Sequence, residues 1–173
     1  TPRAASPEGD APGSLLLRAG GGGAQGMGHV SRCLALAEAW RAAGGVAGLL
    51  VDRSTAERAR AMAGGGGIEI TAEPVVASAG WLGLDGYRLG PDDTLGVPVG
   101  RRLRIDDLGR SGDADCAVVV DQDQAASPAH YAEAPAGASL LLGSRYALLR
   151  PRVPADRDPG AAPRRLLALL GGD

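Results

Sequence analysis

Apolar positions along this chain repeat in two distinct ways. Between residues 28 and 43, Val30, Cys33, Leu34, Ala37 and Trp40 follow the i, i+3, i+4, i+7 rhythm of a helix with one apolar stripe. Gly44 and Gly45 end that helix. Residues 46–51 instead form an unbroken apolar run, the pattern of a parallel strand buried on both faces. A similar run at 14–17 predicts a strand ahead of the helix. Ser54-Thr55-Ala56-Glu57 has the spacing of a capping box and predicts a second helix that stops in the glycines at 64–67. Further strands are expected at 68–71, 81–84, 102–105, 117–120 and 139–142. The stretches 89–100 and 127–138 lack an apolar period and are not expected to be helical. Strands alternating with helices predict an α/β fold, a doubly wound parallel sheet.

A chain of 173 residues suits one main domain with a single core. Residues 1–13, rich in proline, alanine and acid, read as a disordered tail. No apolar run approaches the ~18 residues of a membrane span. The 18 basic and 20 acidic side chains leave a net charge of −2 with no basic stripe, which argues against a nucleic-acid partner. The sequence contains no lysine, which excludes a Schiff base and a phosphate-loop lysine. Cys33 and Cys116 do not make a disulfide framework, so a reduced, cytoplasmic protein or a piece of one is expected.

The candidate chemistry sits between the first strand and the first helix. A glycine-rich loop leads into Gly26-Met27-Gly28-His29, so one imidazole and several free backbone N–H groups fall at the carboxyl edge of the sheet. Ligands bind at that edge in open α/β sheets. A helix N-terminus disfavours a neighbouring positive charge, and a neutral imidazole accepts a proton, as a general base must.

The segment from Gly26 to Ala37, Gly-Met-Gly-His-Val-Ser-Arg-Cys-Leu-Ala-Leu-Ala, resembles the amino-terminal motif of the UDP-sugar hydrolases of pseudaminic acid biosynthesis. With their spore-coat-polysaccharide relatives, these belong to the GT-B glycosyltransferase-like group. Leu84-Asp85-Gly86-Tyr87 is similar to the family's Asp-x-Tyr at a strand end. Leu103-Arg104-Ile105-Asp106-Asp107-Leu108 is similar to its Asp-Asp after a strand, and the segment from Leu141 to Pro151 to its Leu-Gly-x-x-Tyr-x-Leu-Leu-Arg-Pro. The four segments occur in family order.

That resemblance implies a Rossmann-like, amino-terminal GT-B half over 14–153, a linker at 154–163 and, at 164–173, the start of a carboxy-terminal nucleotide-binding domain that would be the missing partner. It implies a bacterial enzyme acting on a nucleotide sugar, a UDP-activated diacetamido-trideoxy sugar, with no cofactor and no metal. His29 would activate water for attack at the anomeric carbon, with UDP leaving under inversion, and Tyr87 would orient sugar or water. Arg18, Gly26, Met27, Gly28, Arg32 and Asp85 would bind substrate, whereas Asp106 and Asp107 would fix a loop. In one departure, Gly20 stands where the family carries an aspartate two residues after the strand arginine. A related glycosyltransferase would use the same half to pass the sugar to an acceptor, and a non-catalytic binding module is a third reading.

Two other site chemistries compete. Gly21-x-Gly23-x-x-Gly26 satisfies the dinucleotide fingerprint, with Asp52 as a candidate ribose acid. Its 26-residue spacing from Gly26 exceeds the usual ~20. His29 and Cys33 lie at i, i+4, a possible start of a zinc site, but a closed site needs four ligands and Cys33 suits the core. Asp121 and Asp123 read as solvated loop acids.

Overall fold

The computed structural model describes residues 13–21, 26–73, 78–90, 93, 96–109 and 116–150. Residues 1–12 of the expected tail, the expected linker and the expected second-domain start lie outside the described residues. Seven strands are present among the described residues: β1 (Ser14–Ala19), β2 (Val46–Leu50), β3 (Glu69–Thr71), β4 (Ala79–Asp85), β5 (Val99–Ile105), β6 (Cys116–Asp121) and β7 (Ser139–Leu142). They form one parallel sheet in the order β3-β2-β1-β4-β5-β6-β7. The fold is a doubly wound, Rossmann-like α/β sheet.

The unbroken leucines of β1 follow from burial on both faces. Leu15 and Leu17 pack with Val30, Cys33 and Leu34, whereas Leu16, pointing the other way, packs with Leu50, Leu82 and Leu84. Helix α1 (Gly28–Ala42) buries the stripe read from the sequence, with Trp40 half-buried at its end. Trp40 Nε1 donates to the carbonyl of Gly13, which also accepts from Val46, so Gly13 is tied to α1 and β2.

Helix α2 (Ala56–Ala63) ends on Gly64, whose φ of 61° is the left-handed cap that glycine favours. Its start departs from expectation. Thr55 holds the cap position but makes no capping hydrogen bond, and its buried Oγ1 has no hydrogen-bond partner among the described residues. The fully buried Thr55 is used for packing, which outweighs the local capping pattern.

β4 and β5 extend beyond their apolar signatures because Gly80, Gly100 and Arg101 contribute backbone pairing without apolar side chains. No α-helix occurs among the described residues after β4; short 3-10 turns at Pro128–Tyr131 and Ser144–Tyr146 take their place. Asp121 is not a solvated loop acid. It is buried at the end of β6, where it accepts from the Tyr131 hydroxyl at 2.8 Å and from the Asp123 amide. Burial, and then this hydrogen bond to Asp121, push the Tyr131 pKa well above its ordinary value.

After β7 the chain turns back over the α1 side, and Tyr146 and Leu148 join the core there. Arg150 then donates to Glu38 of α1 and to the carbonyl of Met62 at the end of α2. No helix among the described residues is long and apolar enough to cross a membrane.

Candidate active site

Strand order reverses at β1, which pairs with β2 on one side and β4 on the other. Crossovers diverge there, leaving a crevice beyond the carboxyl ends of β1 and β4. At that edge Gly20 N–H donates to the carbonyl of Asp85 at 2.7 Å. A Cβ on Gly86 would lie only 3.0 Å from Gly20 Cα, so glycine is what allows the two strand ends to approach so closely.

His29 is the second residue of α1 and Asp85 the last of β4. Both are buried, and His29 Nδ1 lies 2.7 Å from Asp85 Oδ1. Arg32, one turn further along α1, brackets the same carboxylate, with Nε 2.9 Å from Oδ2 and Nη2 2.6 Å from Oδ1. Its Nη1 donates to Asp107 after β5 at 2.9 Å. Burial alone disfavours the Arg32 charge, but Asp85 and then Asp107 outweigh it and raise the guanidinium pKa further.

Two groups compete over the imidazole proton at Nδ1. Arg32 Nη2 also approaches His29 Nδ1, to 2.7 Å. Nδ1 therefore faces a donor and a carboxylate at once. A carboxylate only accepts, so an unprotonated Nδ1 would set two lone pairs against each other at hydrogen-bond distance. Unprotonated, Nδ1 accepts from Arg32 Nη2; protonated, it donates to Asp85, whose oxygens then hold a neutral imidazole and the Arg32 cation. Nε2 is then the accepting nitrogen, and it has no hydrogen-bond partner among the described residues.

The His29 ring lines an open groove of about 350 Å³, with Gly28, Ser31, Arg32, Tyr87, Gln122 and Leu149 among its walls. The Tyr87 ring stands edge-on to the imidazole, with centroids 4.7 Å apart and planes at 83°. Asp107 borders this groove and a neighbouring hollow of about 400 Å³ that contains Asp123 and His130. A separate hollow of about 320 Å³ at the opposite, amino edge of the sheet, walled by Ser14, Arg41 and Glu69, contains none of these groups.

The remaining sequence candidates divide. Gly28 borders the groove, and Gly26 takes a positive φ of 63°. Met27 caps α1 and turns its side chain toward the core, which leaves its backbone as the part available at the edge. Arg18 lies away from His29 and pairs with Asp52 at 2.6 Å, at the ends of β1 and β2. Asp52, the candidate ribose acid, thus has one oxygen engaged by a cation, and residues 22–25 of the glycine fingerprint lie outside the described residues. Asp85 and Arg32 hold each other and His29. Cys33 is fully buried, and burial, then the Asp85 charge, push its thiol pKa up. No group of three or more metal-ligating side chains occurs among the described residues.

Arg104 is a neighbour of the site that the sequence does not single out. It is a buried cation on β5 whose Nη1 and Nη2 donate to the carbonyls of Leu89 and Gly86, on either side of Tyr87. A charge between Leu103 and Ile105, at the buried end of β5, was the available signal. Asp106, also buried, accepts from the Leu108 amide and so shapes the turn that carries Asp107. No protein-family model matches the chain, and no curated protein matches it significantly.

Proposed function

We infer that this chain provides the histidine-bearing, sugar-facing part of a UDP-sugar hydrolase. The observation that carries the reading is the buried Asp85 carboxylate on His29 Nδ1, beside a groove at the switch point of the sheet. In this reading the aspartate keeps the imidazole in the tautomer whose Nε2 accepts a proton. Water in the groove gives that proton to Nε2 as its oxygen bonds to the anomeric carbon. The bond from that carbon to the β-phosphate oxygen breaks, and UDP leaves with the electron pair. Tyr87, fixed against the ring, orients sugar or water. The Arg32 donors are occupied by carboxylates, which suits a groove for a hydroxyl- and amide-bearing sugar better than one for a diphosphate.

A glycosyltransferase is the second reading, favoured by one feature. The groove adjoins a further hollow across Asp107, where an acceptor hydroxyl would replace water. The decisive assay measures UDP released from a UDP-activated diacetamido-trideoxy hexose, with and without sugar acceptors. It is run on the enzyme with the nucleotide-binding half that this reading requires, because this chain alone is expected to be nearly inactive. Release without acceptor that falls by about 10²-fold or more in His29→Ala supports the hydrolase. Release only with acceptor supports the transferase. Release unaffected by His29→Ala, or none under either condition, removes the proposal.

A further inference from the structure

We propose that Arg104 is a positioning residue of the candidate site, fixing the Tyr87 turn so that the phenol ring stands edge-on against His29. Arg104 reaches the turn through backbone carbonyls. Its guanidinium is buried beneath the connection that follows β4. From there it donates 2.6 Å to the Leu89 carbonyl and 3.1 Å to the Gly86 carbonyl. Those two carbonyls bracket Tyr87, and Leu89 N–H closes the same turn onto Gly86 O at 3.3 Å. A planar fork serves both acceptors at once, which a lysine ammonium on a flexible stem does not reproduce.

The rest of the turn is fixed independently at its ends. Gly86 is wedged against Gly20, and Gly90 N–H donates to the Asp93 carboxylate at 2.6 Å. Arg104 acts on the interior of the turn, where Tyr87 is attached. Tyr87 is 45% exposed, so core packing alone does not hold its ring. Loss of the fork frees the turn between anchored ends and lets Tyr87 leave the imidazole, while β4 and β5 stay paired.

The test uses the full chain with Arg104→Leu and Arg104→Lys, and Ile70→Ala on β3 as a control that lowers stability far from the turn. With three tyrosines and two histidines, ring-to-ring nuclear Overhauser effects between Tyr87 and His29 are assignable by single substitutions. The expected result is loss of that effect in both Arg104 variants and its retention in Ile70→Ala, with amide exchange at residues 87–90 accelerated at least about tenfold. Arg104→Lys decides the matter where Arg104→Leu does not fold. A folded Arg104 variant that keeps the Tyr87–His29 effect overturns the proposal, as does its loss in Ile70→Ala. The proposal takes its functional meaning from the hydrolase reading, but the spectroscopic result stands apart from it: absence of UDP release removes that reading and leaves the positioning claim to the spectra. Where release is measured, Arg104→Lys lowers kcat about as much as Tyr87→Ala does; an unchanged kcat contradicts the role.

Discussion

Asp85 Oδ1 receives His29 Nδ1 at 2.7 Å across 56 residues of sequence, because β1 and β4 are neighbours at the point where strand order reverses. The same carboxylate takes two donors from Arg32, so one buried acid holds the imidazole and ties the first turn of α1 to the sheet. Orientation of the ring and stability of the site therefore share a single group.

Asp85→Asn separates those roles from simple shape. The amide keeps the volume but removes the charge facing Arg32, and its N–H₂ no longer enforces a proton on Nδ1. Leaving a buried cation short of its partner costs about 3 kcal/mol or more, softened here by Asp107. Loss of the orienting carboxylate in a comparable triad costs about 10⁴ in rate. Urea unfolding and UDP-release assays check the two effects. A variant as stable and as active as the parent contradicts both.

Gly86→Ala tests the close approach of the two strand ends. The new methyl would lie 3.0 Å from Gly20 Cα and 3.1 Å from Leu89 Cδ1, so backbone must give way. The expected cost is about 1–3 kcal/mol of stability, with the Tyr87 turn displaced from His29. Thermal unfolding and the ring-to-ring signal between the two residues measure it.

Much of this frame was legible before any coordinates. The α1 stripe and the β1 and β2 runs are strong because burial on one or both faces imposes an uninterrupted pattern. The placement of His29 at the sheet edge followed from the same elements. Its pairing with Asp85 did not, because sequence order does not state that β4 lies beside β1. The Ser54–Glu57 capping box and Asp121 were misread for a shared reason: local polarity suggested a cap and a solvated acid, and the burial of Thr55 and Asp121 overrode it. Arg104 was passed over because its partners are backbone carbonyls, which leave no trace in a side-chain pattern.

Alkaline pH should destabilise the fold in two stages. Cys33 and Tyr131 have raised pKa values in the folded state, so the unfolded chain loses those protons first. The native state then binds more protons than the unfolded one, and stability falls as pH rises. This contribution is fully present below about pH 8, declines above the ordinary cysteine value of about 8.5, and declines further above the tyrosine value of about 10. Each open stage costs roughly 1.4 kcal/mol per pH unit. Urea midpoints between pH 7.5 and 9.5 should drop in the parent and drop less in Cys33→Ala. A flat parent profile contradicts the assignment.

Dinucleotides should bind no tighter than about millimolar, a level worth ~4 kcal/mol. Asp52, the acid a ribose would need, is already engaged by Arg18 at 2.6 Å. Titration calorimetry with NAD and NADP measures this directly. Micromolar binding that disappears in Asp52→Ala would favour the dinucleotide reading of the glycine loop.

The proton on His29 is the point on which the account turns, and ¹⁵N NMR of the labelled imidazole reads it directly. Nδ1 lies 2.7 Å from both an acceptor, Asp85 Oδ1, and a donor, Arg32 Nη2, so the two tautomers predict opposite chemistry. If Asp85 governs, Nδ1 carries the proton, Nε2 shows the shift of an unprotonated ring nitrogen, and the residue serves as a base. That is the result the account predicts, together with its loss in Asp85→Asn. A protonated Nε2 with a bare Nδ1 in the neutral ring would show that Arg32 governs instead, leaving His29 a donor and contradicting its assignment as the base.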